Sequence, residues 1–143
     1  MTDLLDVNVW IALSLPDHRH HLRARKYWFE EAGETLAFCR ITALGFLRLM
    51  TQPAVTGEPA LSVGQAWRAY KAFTDLPEVE ILPEPALCEE HLGAWATSGD
   101  ASRRLWTDAY LASFAAAAGL RLITFDKDFR SFRGPDLLLL GGP

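Results

Sequence analysis

Apolar residues fall along the chain in short runs, and the spacing inside each run sorts them into strands and helices. Residues 3–7 form a run of strand length, and "NVWIALSL" after it reads as a short helix ended by Pro16. A second helix is predicted over 18–32, where Leu22 and Phe29 lie seven apart and Ala24 and Trp28 four apart, opposite a basic face of Arg23 and Lys26. Gly33 ends it. "TLAFC" (35–39) has strand length, and "TALGFLRLMT" (42–51) has helical spacing through Leu44, Leu47 and Met50. The stretch 52–60, with two prolines and a glycine, is predicted as a loop. Ser62 caps a helix bearing Trp67, Tyr70 and Phe73 at intervals of three, and "VEIL" (79–82) is a short strand closed by Pro83 and Pro85. A helix over 86–96 breaks at "TSGDASRR" (97–104), and the alanine-rich 105–119 is helical with Gly119 as its C-terminal cap. "LRLITF" (120–125) is a strand, "DKDFRSF" (126–132) a turn or short helical piece, and "LLLL" (137–140) the last strand.

Strands that alternate with helices of crossover length must pair in parallel, because tight turns cannot join parallel neighbours. The expected fold is therefore α/β and three-layered, with a central, mainly parallel sheet of about five strands flanked by helices. A chain of 143 residues, half of them apolar and without a break in composition, is expected to form a single domain over 1–143. No apolar run reaches membrane-spanning length and no leader-like segment opens the chain, which points to a cytoplasmic protein with no membrane partner. Cys39 and Cys88 lack metal-type spacing and sit in or beside apolar runs, where a reduced thiol behaves as a small hydrophobe.

The net charge of −4 counts against nucleic-acid binding only if the acids are spread evenly. They are not. In an open parallel sheet each strand ends at one common edge and the next helix starts there. Asp6 ends the first strand, Asp126 ends "LRLIT", and Asp108 opens the helix that leads back to that strand, so three acids from distant segments converge on one edge. Asp128 either joins them or points to solvent. Crowded carboxylates raise one another's pKa and are tolerated mainly when a cation neutralises them; Mg²⁺ and Mn²⁺ take oxygen ligands of this kind, with Asn8 and Thr124 nearby. Taken singly, Asp108 is also a helix-dipole acid and Asp126 a turn former.

"LLDVNVWIAL", "HRHHLRARKYW", "ITALGFLRL" and "TDAYLASFAAAAGLRLITFDKDF", in that order over nearly the whole chain, resemble the PIN-domain ribonucleases, most closely the VapC toxins of bacterial toxin–antitoxin pairs. The resemblance implies an endoribonuclease in which Mg²⁺ or Mn²⁺, held by Asp6, Asp108 and Asp126 with Asp128 as a further ligand, activates water against an RNA phosphodiester. Asn8 and Thr124 inherit supporting roles. The implied partners are RNA, a cognate antitoxin of the VapB type covering the acidic pocket, and a second copy of the chain as a homodimer. One position departs from the family. Many members carry an acid three residues before the arginine of the middle motif, whereas this chain has Gly45 before Arg48 and no Asp or Glu between Thr35 and Gln52. Gly45 equally serves close approach of backbone to backbone or substrate.

The departure keeps a second function class open, a catalytically impaired PIN-like domain that binds RNA or protein. A Mg²⁺-dependent phosphatase of similar build needs Asp-x-Asp after the first strand, and the second position here is Asn8. His18, His20 and His21 sit at a helix start without a further ligand at zinc spacing, so capping and packing account for them. Trp67, Tyr70 and Phe73 share a helix face suited to core or dimer packing rather than to base stacking. Arg48, Arg103 and Arg104 are candidates to hold RNA phosphate at the mouth of the site.

Overall fold

The computed structural model describes residues 1–99 and 101–141. Five strands, β1 (Thr2–Leu5), β2 (Thr35–Phe38), β3 (Val79–Ile81), β4 (Arg121–Thr124) and β5 (Asp136–Leu139), form one sheet in the order β3-β2-β1-β4-β5. Every pairing is parallel, with Thr2 opposite Thr35, Leu4 opposite Leu122, Leu36 opposite Val79 and Ile123 opposite Leu138. The chain leaves β1 toward one side of the sheet and leaves β4 toward the other, so the order reverses between the two central strands. A crevice opens at such a point, outside the carboxyl ends of the strands.

Among the described residues there are seven α-helices, six of them in runs with helical spacing. They are α1 (Val7–Ser14), α2 (His21–Lys26), α3 (Arg40–Met50), α4 (Pro53–Thr56), α5 (Val63–Thr74), α6 (Cys88–Ala96) and α7 (Trp106–Ala118). Successive side chains of a strand point to opposite faces, and this alternation builds two cores. Leu5, Leu36, Phe38 and Ile123 face the layer of α1, α3 and α5, where Trp10 stacks on Phe38 at 3.9 Å between near-parallel rings. Leu4, Ala37 and Leu122 face the opposite layer with Leu111 and Phe114 of α7 and Cys88 of α6. Both faces are covered, which is why the strands read as continuous apolar runs rather than alternating ones.

Several expectations shift. The first strand stops at Leu5 because Asp6 already caps α1, and the last strand runs one residue earlier than "LLLL". The predicted 18–32 helix is shorter and in two parts, α2 and then a π-helical turn over Tyr27–Glu31. A buried ion pair explains the second part. Asp3, fully buried, accepts from the Tyr27 hydroxyl at 2.6 Å, from Gly33 N–H at 2.8 Å and from Arg121 Nε and Nη2 at 2.9 and 2.8 Å, while Arg121 also donates to the Glu31 carbonyl. The wide turn brings the Tyr27 hydroxyl and the Glu31 carbonyl to this cluster. Gly33 is required by space as well as by chain reversal, since a Cβ there would lie 2.4 Å from the Met1 carbonyl oxygen. The 52–60 loop contains α4, with Pro53 at its first turn, where a missing N–H costs nothing. In the break over 97–104, Asp100 lies outside the described residues, and Arg103–Leu105 forms a 3₁₀ turn leading into α7.

Candidate functional site at the carboxyl edge of the sheet

β1 and β4 end side by side, tied by Asp6 N–H donating to the Ile123 carbonyl at 2.9 Å. Asp6 is the N-cap of α1, and both of its oxygens are engaged. Oδ1 accepts from Val7 N–H at 2.7 Å and Oδ2 from the Thr124 hydroxyl at 2.8 Å. The Thr124 oxygen in turn accepts from Asp126 N–H at 3.0 Å and from the Asn8 side-chain amide at 3.4 Å, and Asn8 Oδ1 accepts from Phe125 N–H at 3.2 Å. The loops after β1 and β4 are thereby stitched together, with Asn8 and Thr124 as the thread. Asp126 caps the 3₁₀ turn Lys127–Ser131 through Oδ1, which accepts from Asp128 N–H at 2.9 Å. Asp108 belongs to the first turn of α7, the helix that runs back to the start of β4.

The acids act on one another. Burial is the main force raising the Asp6 pKa; the Thr124 and Val7 hydrogen bonds oppose it and the Asp126 charge adds to it. Asp108 is pushed up to about 6, first by burial and then by the charges of Asp6, Asp126 and Asp128. Asp6, Asp126 and Asp128 thus act on Asp108 through their charge, Asp128 from an exposed position. It is an open arrangement. Among the described residues no three Asp, Glu, His or Cys side chains are gathered as a ready-made metal site. An all-oxygen donor set at an open cleft still suits a hard ion such as Mg²⁺, which keeps several waters and takes only one or two carboxylates directly.

Beside Asp6 lies a cavity of about 260 Å³ whose walls include Val7, Leu44, Gly45, Arg48 and Thr107. Arg48 lines the same cavity as Asp6, while Arg103 and Arg104 are exposed on the turn ahead of α7 and do not line it. Gly45 has a packing role, because a Cβ there would lie 2.9 Å from Val7 Cγ2. A longer acid at this position has no room while α1 and α3 pack as they do. Sequence reasoning missed Thr107, whose only signal is its place next to Asp108, and Asp3, whose signal is a charge inside a buried strand opposite Arg121 in register.

The three histidines have local partners. His18 Nδ1 accepts from His20 N–H at 3.0 Å, His21 Nδ1 lies 2.7 Å from the Ala12 carbonyl, and His20 stacks on Phe125 at 4.5 Å. Of the α5 aromatics, Tyr70 is buried, Phe73 is half-buried in the first core and Trp67 is exposed.

A family model described as "PIN domain" matches residues 4–135. The chain is 38% identical to "Ribonuclease VapC41" of Mycobacterium tuberculosis over 96% of its own length and 97% of the relative's. Among solved structures it resembles Mycobacterium tuberculosis VapC20, described as a sarcin-ricin loop cleaving toxin, with a TM-score of 0.68 at 18% identity over 90% of this chain and 93% of that one. A toxin-antitoxin complex from Klebsiella pneumoniae gives 0.66 at 21% identity, covering 96% and 97%. At such identities these two likenesses speak for the fold alone.

Proposed function

The chain belongs to the PIN-domain family, and on that premise we propose that it is the ribonuclease toxin of a VapBC-type toxin–antitoxin pair, an endoribonuclease dependent on Mg²⁺ or Mn²⁺. What supports the reading is that Asp6, just after β1, and Asp126, just after β4, flank the point where the strand order reverses, and that the charges of both raise the pKa of Asp108 on α7. Asp6 and Asp126 would hold the divalent ion, with Asp108 and Asp128 completing the acidic set. When bound, the ion supplies positive charge that draws in a phosphodiester and makes water a stronger nucleophile.

The remaining chemistry belongs to the chain. The Thr124 hydroxyl and Val7 N–H fix both Asp6 oxygens, so the carboxylate presents the same lone pairs without reorganisation. Asp108 would accept a proton from the attacking water; burial and the neighbouring acids raise its pKa to about 6 in the ion-free chain, and a bound divalent ion would lower it. Arg48 offers a guanidinium to the phosphate at the cavity wall, and Arg103 and Arg104 extend the cationic surface toward flanking nucleotides. No nucleophilic side chain is needed.

The cavity's rim gives the partner reading its support. Ile41 and Leu44 of α3 are 42% and 53% exposed, an apolar edge that an antitoxin segment would cover while placing itself over the acids. Val63 and Trp67, 81% and 51% exposed on α5, are a surface for a second copy of the chain. The open acid set and the glycine at 45 favour one alternative, a PIN-like module that binds RNA without turnover. Incubating the pure protein with total RNA in Mg²⁺, in Mn²⁺ and in chelator separates them. The nuclease reading expects fragments with either ion, none with chelator, and a loss of about a hundredfold or more in Asp6→Asn of unchanged fold. Cleavage that survives Asp6→Asn or chelation refutes it.

A further inference from the structure

α6 and the end of the Lys127–Ser131 turn enclose a second cavity of about 340 Å³, walled by His91, Trp95, Ser131, Phe132 and Arg133. Trp106 stands beside it, 52% exposed, with its ring 5.2 Å from Trp95 in an edge-to-face arrangement, and Trp95 lies 6.1 Å from Phe132. A tryptophan half open to water at the first position of a helix contributes little to that helix and exposes a large π-face. The cations around it are Arg103 and Arg104 on the preceding turn and Arg133 on the cavity wall, all exposed, and none is in an ion pair with an acid among the described residues. The patch shares elements with two of the acids: Trp106 opens α7 two residues before Asp108, on a different face of the helix, and Ser131 ends the 3₁₀ turn that Asp126 caps.

We propose that this surface is a base-stacking subsite of the RNA groove: Trp106, backed by Trp95 and Phe132, stacks an unpaired base of the bound strand, and Arg103, Arg104 and Arg133 hold neighbouring phosphates. An aromatic platform with one arginine on its cavity wall and two on the preceding turn is complementary to a π-face carrying negative charge, which a nucleotide has and an apolar peptide lacks. The subsite would select single-stranded RNA, because only an unstacked base can reach the ring. The inference rests on the ribonuclease reading and adds to it a place where substrate is read.

The test is binding of a fluorescein-labelled, mixed-sequence, single-stranded 12-nucleotide RNA to the full chain in chelator, followed by anisotropy and by quenching of tryptophan emission. Trp106→Ala is expected to weaken binding roughly ten- to a hundredfold and to remove most of the quenching, Trp106→Phe to stay within about threefold of the parent, and Trp106→Leu to behave like alanine. An RNA of equal length without bases should bind the parent and Trp106→Ala alike. If Trp106→Ala binds the 12-mer as tightly as the parent, or if leucine restores affinity as well as phenylalanine does, the proposal is overturned and the patch is an apolar face for a protein. Metal-dependent cleavage of total RNA by the same preparations keeps the two failures apart. Cleavage that proceeds while binding ignores Trp106 overturns the subsite alone; a parent that neither cleaves nor binds RNA overturns both.

Discussion

The Thr124 hydroxyl does three things with one oxygen: it donates to Asp6, accepts from the Asp126 backbone and accepts from the Asn8 amide. Its donation to Asp6 holds the carboxylate down against burial, which raises its pKa. Thr124→Val keeps the shape and removes all three bonds. It should raise the Asp6 pKa further and lower RNA cleavage about ten- to a hundredfold, with the acid limb of the pH–rate profile moved to higher pH, whereas Thr124→Ser should restore both. A valine variant with an unmoved acid limb would show that the hydroxyl is only packing. Asp108 gives a stability prediction of its own. Its folded pKa of about 6 lies above that of a free carboxylate, so the folded state holds the proton more tightly than the unfolded chain does. Stability is therefore highest when the group is protonated and is lost as pH rises through about 6. In chelator, Asp108→Asn should be more stable than the parent by about 1–2 kcal/mol at pH 8, the cost of the buried charge being discounted for partial exposure, and nearly equal to it at pH 4. Urea unfolding at the two pH values measures this, and an advantage of the same size at both would contradict it.

Elements whose spacing was decided by local chemistry were legible before any coordinates. Ser62 caps the start of α5, Gly119 takes the left-handed conformation that ends α7, and the buried strands follow their apolar runs. What sequence did not carry was set by partners far along the chain. The π-helical turn after α2 exists because Tyr27 and the Glu31 carbonyl meet the Asp3–Arg121 pair, and nothing in "YWFEE" announces an arginine 90 positions later. Gly45 is the instructive case, since the same residue reads as a lost acid in the motif and as a packing requirement in the structure. Its hypothetical Cβ meets a β-branched side chain 2.9 Å away, and a stiff Val7 cannot rotate clear without moving α1. Gly45→Ala should therefore destabilise the protein by about 1–3 kcal/mol despite the roughly 1 kcal/mol that alanine gains in an exposed helix. Val7→Ala combined with it should recover at least about 0.5 kcal/mol relative to the sum of the single changes, read from denaturant midpoints in a double-mutant cycle. Additive effects would mean that α1 and α3 are not in register-limiting contact at this point.

Across the whole molecule, the order β3-β2-β1-β4-β5 sets side by side the two strands that lead into Asp6 and Asp126 and opens the sheet between their connections. That much of the site follows from alternation of strands and helices, because parallel strands must all end at one edge. The spacing between carboxylates does not follow, and among the described residues they form an open set rather than a closed cage. An open set of mutually repelling acids makes folding and ion binding linked equilibria. Burial and like charge raise both Asp6 and Asp108, so the folded chain bears a cost that an ion can remove, and an ion that binds only the folded state stabilises it by RT ln(1 + [ion]/Kd). At a hundredfold excess over Kd this is about 2.7 kcal/mol, which for a domain of this size corresponds to a rise in Tm of roughly 5–10 °C. Mn²⁺ or Mg²⁺ should produce such a rise in a thermal melt without RNA, chelator should reverse it, and Asp6→Asn and Asp126→Asn should each lose most of it while melting normally in chelator. Asp3→Asn, which alters an acid at the opposite edge of the sheet, should melt lower but keep the full ion-dependent rise. A Tm that ignores millimolar ion, or that rises equally in Asp6→Asn, would mean that the acids meet for reasons of charge capping alone and that the PIN fold here works without a metal.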